Sequence, residues 1–175
     1  MNRSLSLWQL AGLTFTAVLG TLLHFFYPWT NSLLVTPISA VNESTWEHIK
    51  ILFFPAFFFA VFQSFFFRAD YPAFWRVKAK GILRASLLIP VLFYFYNGAF
   101  GPSPAWYNVS TFFVAAGYGF IYEWFALKRD PEKRGCPVFS IVLLCLMAIF
   151  FVAFTYLPPA LPLFQDPLTG GYGIL

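Results

Sequence analysis

The chain has 175 residues, of which 59% are hydrophobic, 23% aromatic and only 10% charged. Soluble domains carry about 25% charged residues, so this composition excludes an ordinary soluble fold and implies a polytopic membrane protein. The length suits one integral membrane domain over residues 1–175.

Five apolar segments are long enough to cross a hydrocarbon core of ~30 Å, at roughly 20 residues each. They cover residues 5–27, 45–67, 81–96, 106–127 and 138–157. Lipid leaves backbone groups no water to bond with, so helices are expected. The fold class is therefore all-α, a five-transmembrane-helix bundle. The first segment lacks a small-residue cleavage site and reads as a retained span. Pro55 and Pro90 fall inside spans two and three and are expected to kink them. Residues 28–41 are apolar and are expected to fold back at the membrane interface. Residues 97–105 hold two glycines and two prolines and read as a turn-rich loop. The tail, residues 158–175, is rich in Pro and Gly and is expected to be non-helical, folding over one mouth of the bundle. Cys136 and Cys145 lack metal-type spacing, and no disulfide is expected.

Charge predicts the orientation. Arg3, then Arg68, Arg76, Lys78, Lys80 and Arg84, then Lys128, Arg129, Lys133 and Arg134 occupy alternate segments. The positive-inside rule places these in the cytoplasm, with the N-terminus inside and the C-terminus outside. Anionic lipid headgroups suffice as partners for the basic loops, and no nucleic acid is called for. Lys50 is the exception among the basic residues, placed at the outer side.

That lysine closes the run Asn42-Glu43-Ser44-Thr45-Trp46-Glu47-His48-Ile49-Lys50. Ionisable groups at the edge of lipid are costly and mark functional sites by default. At 1.5 Å rise per residue, His24 lies roughly 28 Å up span one, at the same outer layer. Asp166 of the tail hangs above it. Helical spacing puts Glu43, Glu47 and Lys50 on one face, with His48 rotated by about 100°.

Two readings of the run compete. The first is structural: Ser44 and Glu47 form a capping box, Trp46 anchors at the interface and Lys50 pairs with a carboxylate. It leaves His48 unexplained. The second is a polar site built from His24, Glu43, Glu47, His48 and Asp166. Its candidates for a zinc-like divalent metal are His24, Glu47 and His48, with one position open to water. Without metal the same groups are suited to acid–base chemistry. Deeper in the chain, Arg84 and Glu123 count to similar depth near the inner ends of spans three and four. They are expected to form a structural ion pair.

The same run, following a first span that ends His24-Phe25-Phe26-Tyr27, resembles an uncharacterised family of small bacterial multi-pass membrane proteins. Phe164, Asp166, Pro167 and Tyr172-Gly173 are similar to that family's ending. The resemblance implies a bacterial cytoplasmic membrane location and carries no activity. The aromatic five-span plan is also similar in outline to the tryptophan-rich sensory proteins, without sharing their motifs.

The expected function is an outward-facing polar pocket for a small or lipophilic ligand, of binding or transport type. Its wall would be His24, Asn42, Glu43, Glu47, His48 and Lys50, lidded by Asp166 and Tyr172. Glu47 and His48 are the expected acid–base or ligand-contact pair. Two alternatives stand beside it. One is a metal-assisted enzyme acting on a lipid or isoprenoid-like substrate. The other is a non-catalytic partner subunit, which is compatible with an oligomer.

Overall fold

The structure is a computed structural model describing residues 2–68, 70–129 and 136–174, with the backbone alone for residues 2 and 3. Lys133, Arg134 and the side chain of Arg3 lie outside the described residues. Five helices follow in order: α1 Asn2–Thr30, α2 Thr45–Phe67, α3 Phe74–Phe100, α4 Ala105–Arg129 and α5 Pro137–Tyr156. A 3-10 turn, Pro162–Phe164, precedes the end of the tail. Among the described residues there is no β-strand, only an isolated bridge between Gln165 and Tyr172.

Four helices are long and apolar enough to cross a membrane: Ser4–Thr30 of α1, then α2, α3 and α5. Among the described residues α4 does not qualify by composition, although its length of 25 residues corresponds to roughly 37 Å. Gly117, Gly119, Asn108 and Glu123 dilute its hydropathy. Its outer stripe of Val114, Tyr118, Ile121 and Phe125 is nonetheless exposed, at the i, i+4, i+7 spacing of one helix face. Exposed phenylalanines and leucines also cover the outer faces of the other helices, among them Leu10, Phe62, Phe65 and Phe95. Apolar surface on this scale belongs against lipid.

Three helices, α1, α3 and α4, outrun their sequence bounds, and α3 runs on to Phe100, so residues 97–100 are helix rather than loop. α3 begins at Phe74 rather than residue 81, because Arg76, Lys78 and Lys80 continue the helix instead of preceding it. α1 extends to Thr30, through Pro28.

α2 is the central element. It packs on α1, α3, α4, α5 and the 3-10 turn, and 67% of its apolar window is buried, against 22% for the windows of α1, α3 and α5. Phe53, Leu52, Ala60 and Gln63 are almost fully enclosed along it. Pro55 lacks an N–H, so the carbonyl of Ile51 loses its usual helix partner. Gly20 of α1 packs against that carbonyl. A Cβ at Gly20 would stand 2.9 Å from Ile51 O and 2.5 Å from the Phe112 ring, so α1 approaches α2 this closely only with glycine there.

Local signals set the ends. Ser44 caps α2, its Oγ accepting from the N–H of Glu47 at 3.3 Å. The reciprocal half of a capping box is missing. Glu47 turns inward instead, and the N–H of Ser44 donates to Asn42 Oδ1 at 2.9 Å. Pro137 opens α5 at the position where a missing N–H costs nothing. The segment between α1 and α2 folds back on α1: Ser39 Oγ donates to Leu23 O, and the N–H of Ala40 donates to the same carbonyl.

Candidate functional site

The C-terminal part of α1 and the N-terminal end of α2 meet at one end of the bundle. There the side chains of the Asn42–Lys50 run divide into two groups facing different neighbours.

Glu47 and Lys50 face α5. Lys50 Nζ lies 2.5 Å from Glu47 Oε2. It also donates to Thr36 O at 2.9 Å and to Thr155 Oγ1 at 2.7 Å, which satisfies all three ammonium donors. Glu47 Oε2 further accepts the N–H of Val41 at 3.0 Å. Thr155 Oγ1 lies 3.3 Å from Glu47 Oε1. Lys50 is 0% exposed and Glu47 2%. This fully bonded cluster ties α2 to α5 and to the segment before α2. Glu47 is thus removed from both the acid–base pairing with His48 and the metal set. Its position one residue before His48 turns it about 100° away.

His48 faces α1. Its Nε2 stands 3.5 Å from Glu43 Oε2, and His24 Nε2 stands 3.5 Å from Glu43 Oε1. The two imidazole centroids are 5.5 Å apart. One ligand atom from each of His24, Glu43 and His48 falls within 4.8 Å of the others. His48 Nδ1 lies 2.9 Å from the carbonyl of Ser44. A carbonyl only accepts, so Nδ1 carries a proton, and Nε2 is the nitrogen that faces Glu43. Ring packing on Phe25, with centroids 4.8 Å apart, flanks His24; the His24 Nδ1 is buried without a hydrogen-bond partner among the described residues. The three side chains are 21–42% exposed. Glu43, not Glu47, completes the histidine pair. It precedes the cap at Ser44, where the chain is not yet helical, so helical spacing does not govern its direction.

These three residues form the polar end of a cavity of about 520 Å³ between α1, α2, α3 and α4. Its other walls are mostly apolar: Phe25, Ile51, Ile89, Phe93, Val109 and Phe112. Asn108, Thr111 and Ser103 add neutral polar groups, and Pro167 and Leu168 of the tail close one side. A wider, shallow groove lies on the outer face of α1, between Leu7 and Leu22. It holds no charged side chain and reads as lipid-facing surface.

The remaining candidates act elsewhere. Asn42 Nδ2 donates to Gly173 O at 2.7 Å, which fastens the tail. Asp166 is buried at 3% exposure and caps its own turn, accepting from the N–H of Leu168 and the hydroxyl of Thr169. Such Asx turns are local, and they spend both carboxylate oxygens within the tail. Tyr172 pairs with Gln165 across the tail and does not line the cavity. Phe164 packs on Trp46, with centroids 4.8 Å apart.

The deeper ion pair also differs from expectation. Glu123 pairs with Lys78 at 2.5 Å, not with Arg84. Arg84 instead lies over the Tyr122 ring at 3.8 Å. Because α3 starts at Phe74, Lys78 is already within the helix and faces α4. The rings of Phe59, Phe74 and Phe120 surround its ammonium at 5.3–6.0 Å. A Cβ at Gly81 would stand 2.5 Å from Glu123 Oε1, so that glycine makes room for the carboxylate.

Sequence reasoning missed Lys78, Thr155 and the cavity walls on α3 and α4. The walls carry no motif, and nothing in the sequence marks them apart from other apolar helix positions.

Comparison with curated proteins and with solved structures returns no match. The sequence does match one family over residues 1–174, described as a family of unknown function. With nearly its whole length matched, this aromatic-rich helical membrane bundle belongs to the family of unknown function DUF6512.

Proposed function

We propose that this protein binds a small amphiphilic ligand, a molecule with an apolar body and an oxygen-bearing polar head. One observation carries the reading: a cavity of about 520 Å³ whose walls are largely aromatic and aliphatic and whose one charged end is His24, Glu43 and His48. Ligand sites in general are apolar concavities with a few convergent polar groups, in the range of about 300–1,000 Å³.

The proposed setting is a bacterial cytoplasmic membrane, with the cavity on the outer side. Arg68, Arg76, Lys80, Lys128 and Arg129 lie toward the bundle end opposite the cavity, as the helix directions require. The positive-inside rule assigns that end to the cytoplasm. A cavity lined from the ends of α1 and α2 that carry His24, Glu43 and His48 supports a binding or transport role. The deeper charges, Lys78 and Glu123, are sealed against each other and offer no continuation of it.

The test is co-extraction. Protein taken from membranes in polymer-bounded discs is analysed by mass spectrometry for small amphiphiles, beside a Thr111→Trp variant. Thr111 is buried on α4 and lines the cavity, so the larger ring occupies ligand space. The wild type is expected to carry an enriched species that the variant loses while keeping its unfolding temperature. Identical profiles for the two would overturn the reading.

A further inference from the structure

We propose that His24, Glu43 and His48 form a three-ligand site for a zinc-like divalent cation, with its open coordination position facing the cavity. The inference rests on the pocket reading for what fills that open position, namely an oxygen of the amphiphile's head. The metal site itself stands on separate geometry.

Three observations carry it. The first is the tautomer. The Ser44 carbonyl, 2.9 Å from Nδ1, holds that nitrogen as the N–H of His48. In neutral His48 the Nε2 lone pair then points at a carboxylate oxygen, and two electron-rich atoms face each other. A cation between them removes the repulsion. A backbone carbonyl on the far nitrogen is also the usual outer-shell partner of a metal-bound histidine.

The second is spacing. Both His–Glu separations are 3.5 Å, longer than the 2.7–3.2 Å of an N–H···O hydrogen bond. Ligands about 2.0–2.1 Å from a tetrahedral zinc stand roughly 3.3–3.4 Å from one another. Each histidine thus faces its own Glu43 oxygen at close to a ligand–ligand distance, and with one oxygen chosen the three ligand atoms still lie within 4.8 Å of one another, near enough to close on a single cation.

The third is the split of roles on α2. Lys50, the cation nearest in sequence, is fully engaged with Glu47, Thr36 and Thr155. It neutralises Glu47 and leaves Glu43 without a lysine or arginine partner among the described residues. Two neutral imidazoles and one carboxylate with an open position are a donor set found in catalytic zinc sites.

Zinc alone is the probe. Detergent-purified full-length protein, stripped with chelator and reloaded, is measured for bound zinc and by X-ray absorption at the zinc edge. The expected result is one zinc per chain with two imidazole nitrogens and a carboxylate oxygen at about 2.0–2.1 Å. His24→Ala, His48→Ala and Glu43→Gln should each weaken binding by more than roughly 100-fold, beyond the loss typical of an outer-shell partner. Glu43 is partly exposed, so its variant is expected to fold and keeps the test valid if a histidine variant does not. Occupancy should fall on acidification, since protons compete for both imidazoles. Zinc content unchanged across the folded variants, or no zinc bound to the wild type, overturns the proposal. The latter would leave a proton-linked imidazole–carboxylate cluster only.

Thr111→Trp separates this failure from failure of the pocket reading. Zinc retained while the amphiphile is lost supports both. Absent zinc with the amphiphile still displaced overturns the metal alone. Bound zinc with an unchanged amphiphile profile leaves the metal site and removes the pocket reading.

Discussion

Lys50 and Glu47 form an enclosed ion pair on the side of α2 that faces α5, while His48, one residue from Glu47, faces α1. The tight charge pair in the run is therefore scaffold, and the looser histidine–carboxylate group is the proposed site. Lys50→Met should expose this difference. It leaves Glu47 buried without its cation, at a cost of about 3–5 kcal/mol, read by chemical or thermal unfolding in detergent. A Glu47→Leu, Lys50→Met double variant should recover part of that loss. A single variant as stable as the wild type would refute the assignment.

The pairing of Glu123 is testable by double-mutant cycles. Lys78→Met and Glu123→Gln should couple strongly, because each removes the other's ion-pair partner. Arg84→Met and Glu123→Gln should be nearly additive, within about 0.5 kcal/mol. The opposite ranking would return Arg84 to the ion pair. Gly81→Ala should itself destabilise the fold, since the new methyl meets the Glu123 carboxylate.

Gln63 is 0% exposed, and both polar atoms of its amide lack partners among the described residues. An unsatisfied buried polar group costs about 1–3 kcal/mol. Gln63→Met, close in shape and apolar, should raise the unfolding temperature. A drop instead would reveal an internal water or other group bonded to the amide.

Orientation is checked with reporters active only outside the cytoplasm. One fused after Leu175 should be active, and one placed within residues 128–134 should be silent. The reverse pattern would put the cavity on the cytoplasmic side.

Features with local causes were legible in the sequence. Hydropathy gave the helices, and Ser44 marked the start of α2, because capping involves neighbours in the chain. Helix bounds failed at α3, where Arg76, Lys78 and Lys80 resemble a loop to any local window. Lys78 is accommodated by a carboxylate 45 positions away, which no window includes. Counting in from the outer ends put Arg84, rather than Lys78, at the depth of Glu123, and depth alone does not say which side chain of α3 faces α4. The site failed for a related reason. Helical spacing grouped Glu43 with Glu47, but the helix begins after Glu43, so the two carboxylates point to different neighbours. The convergence of His24 on the run was legible from depth alone. The cavity between four helices was not, because it is a property of packing.

Each buried lysine carries its own counter-ion, so Lys50–Glu47 and Lys78–Glu123 move as dipoles rather than as charges. A membrane potential does about 2.3 kcal/mol of work per elementary charge per 100 mV, and almost none on a pair that travels together. Rocking of α2 against α5 therefore moves the Lys50–Glu47 pair without work against the voltage, whichever way the chain is inserted, whereas Lys78 on α3 and Glu123 on α4 cancel only when those two helices move as one body. Neutralising either carboxylate leaves a lone ammonium inside the bundle, and the same movement becomes electrogenic.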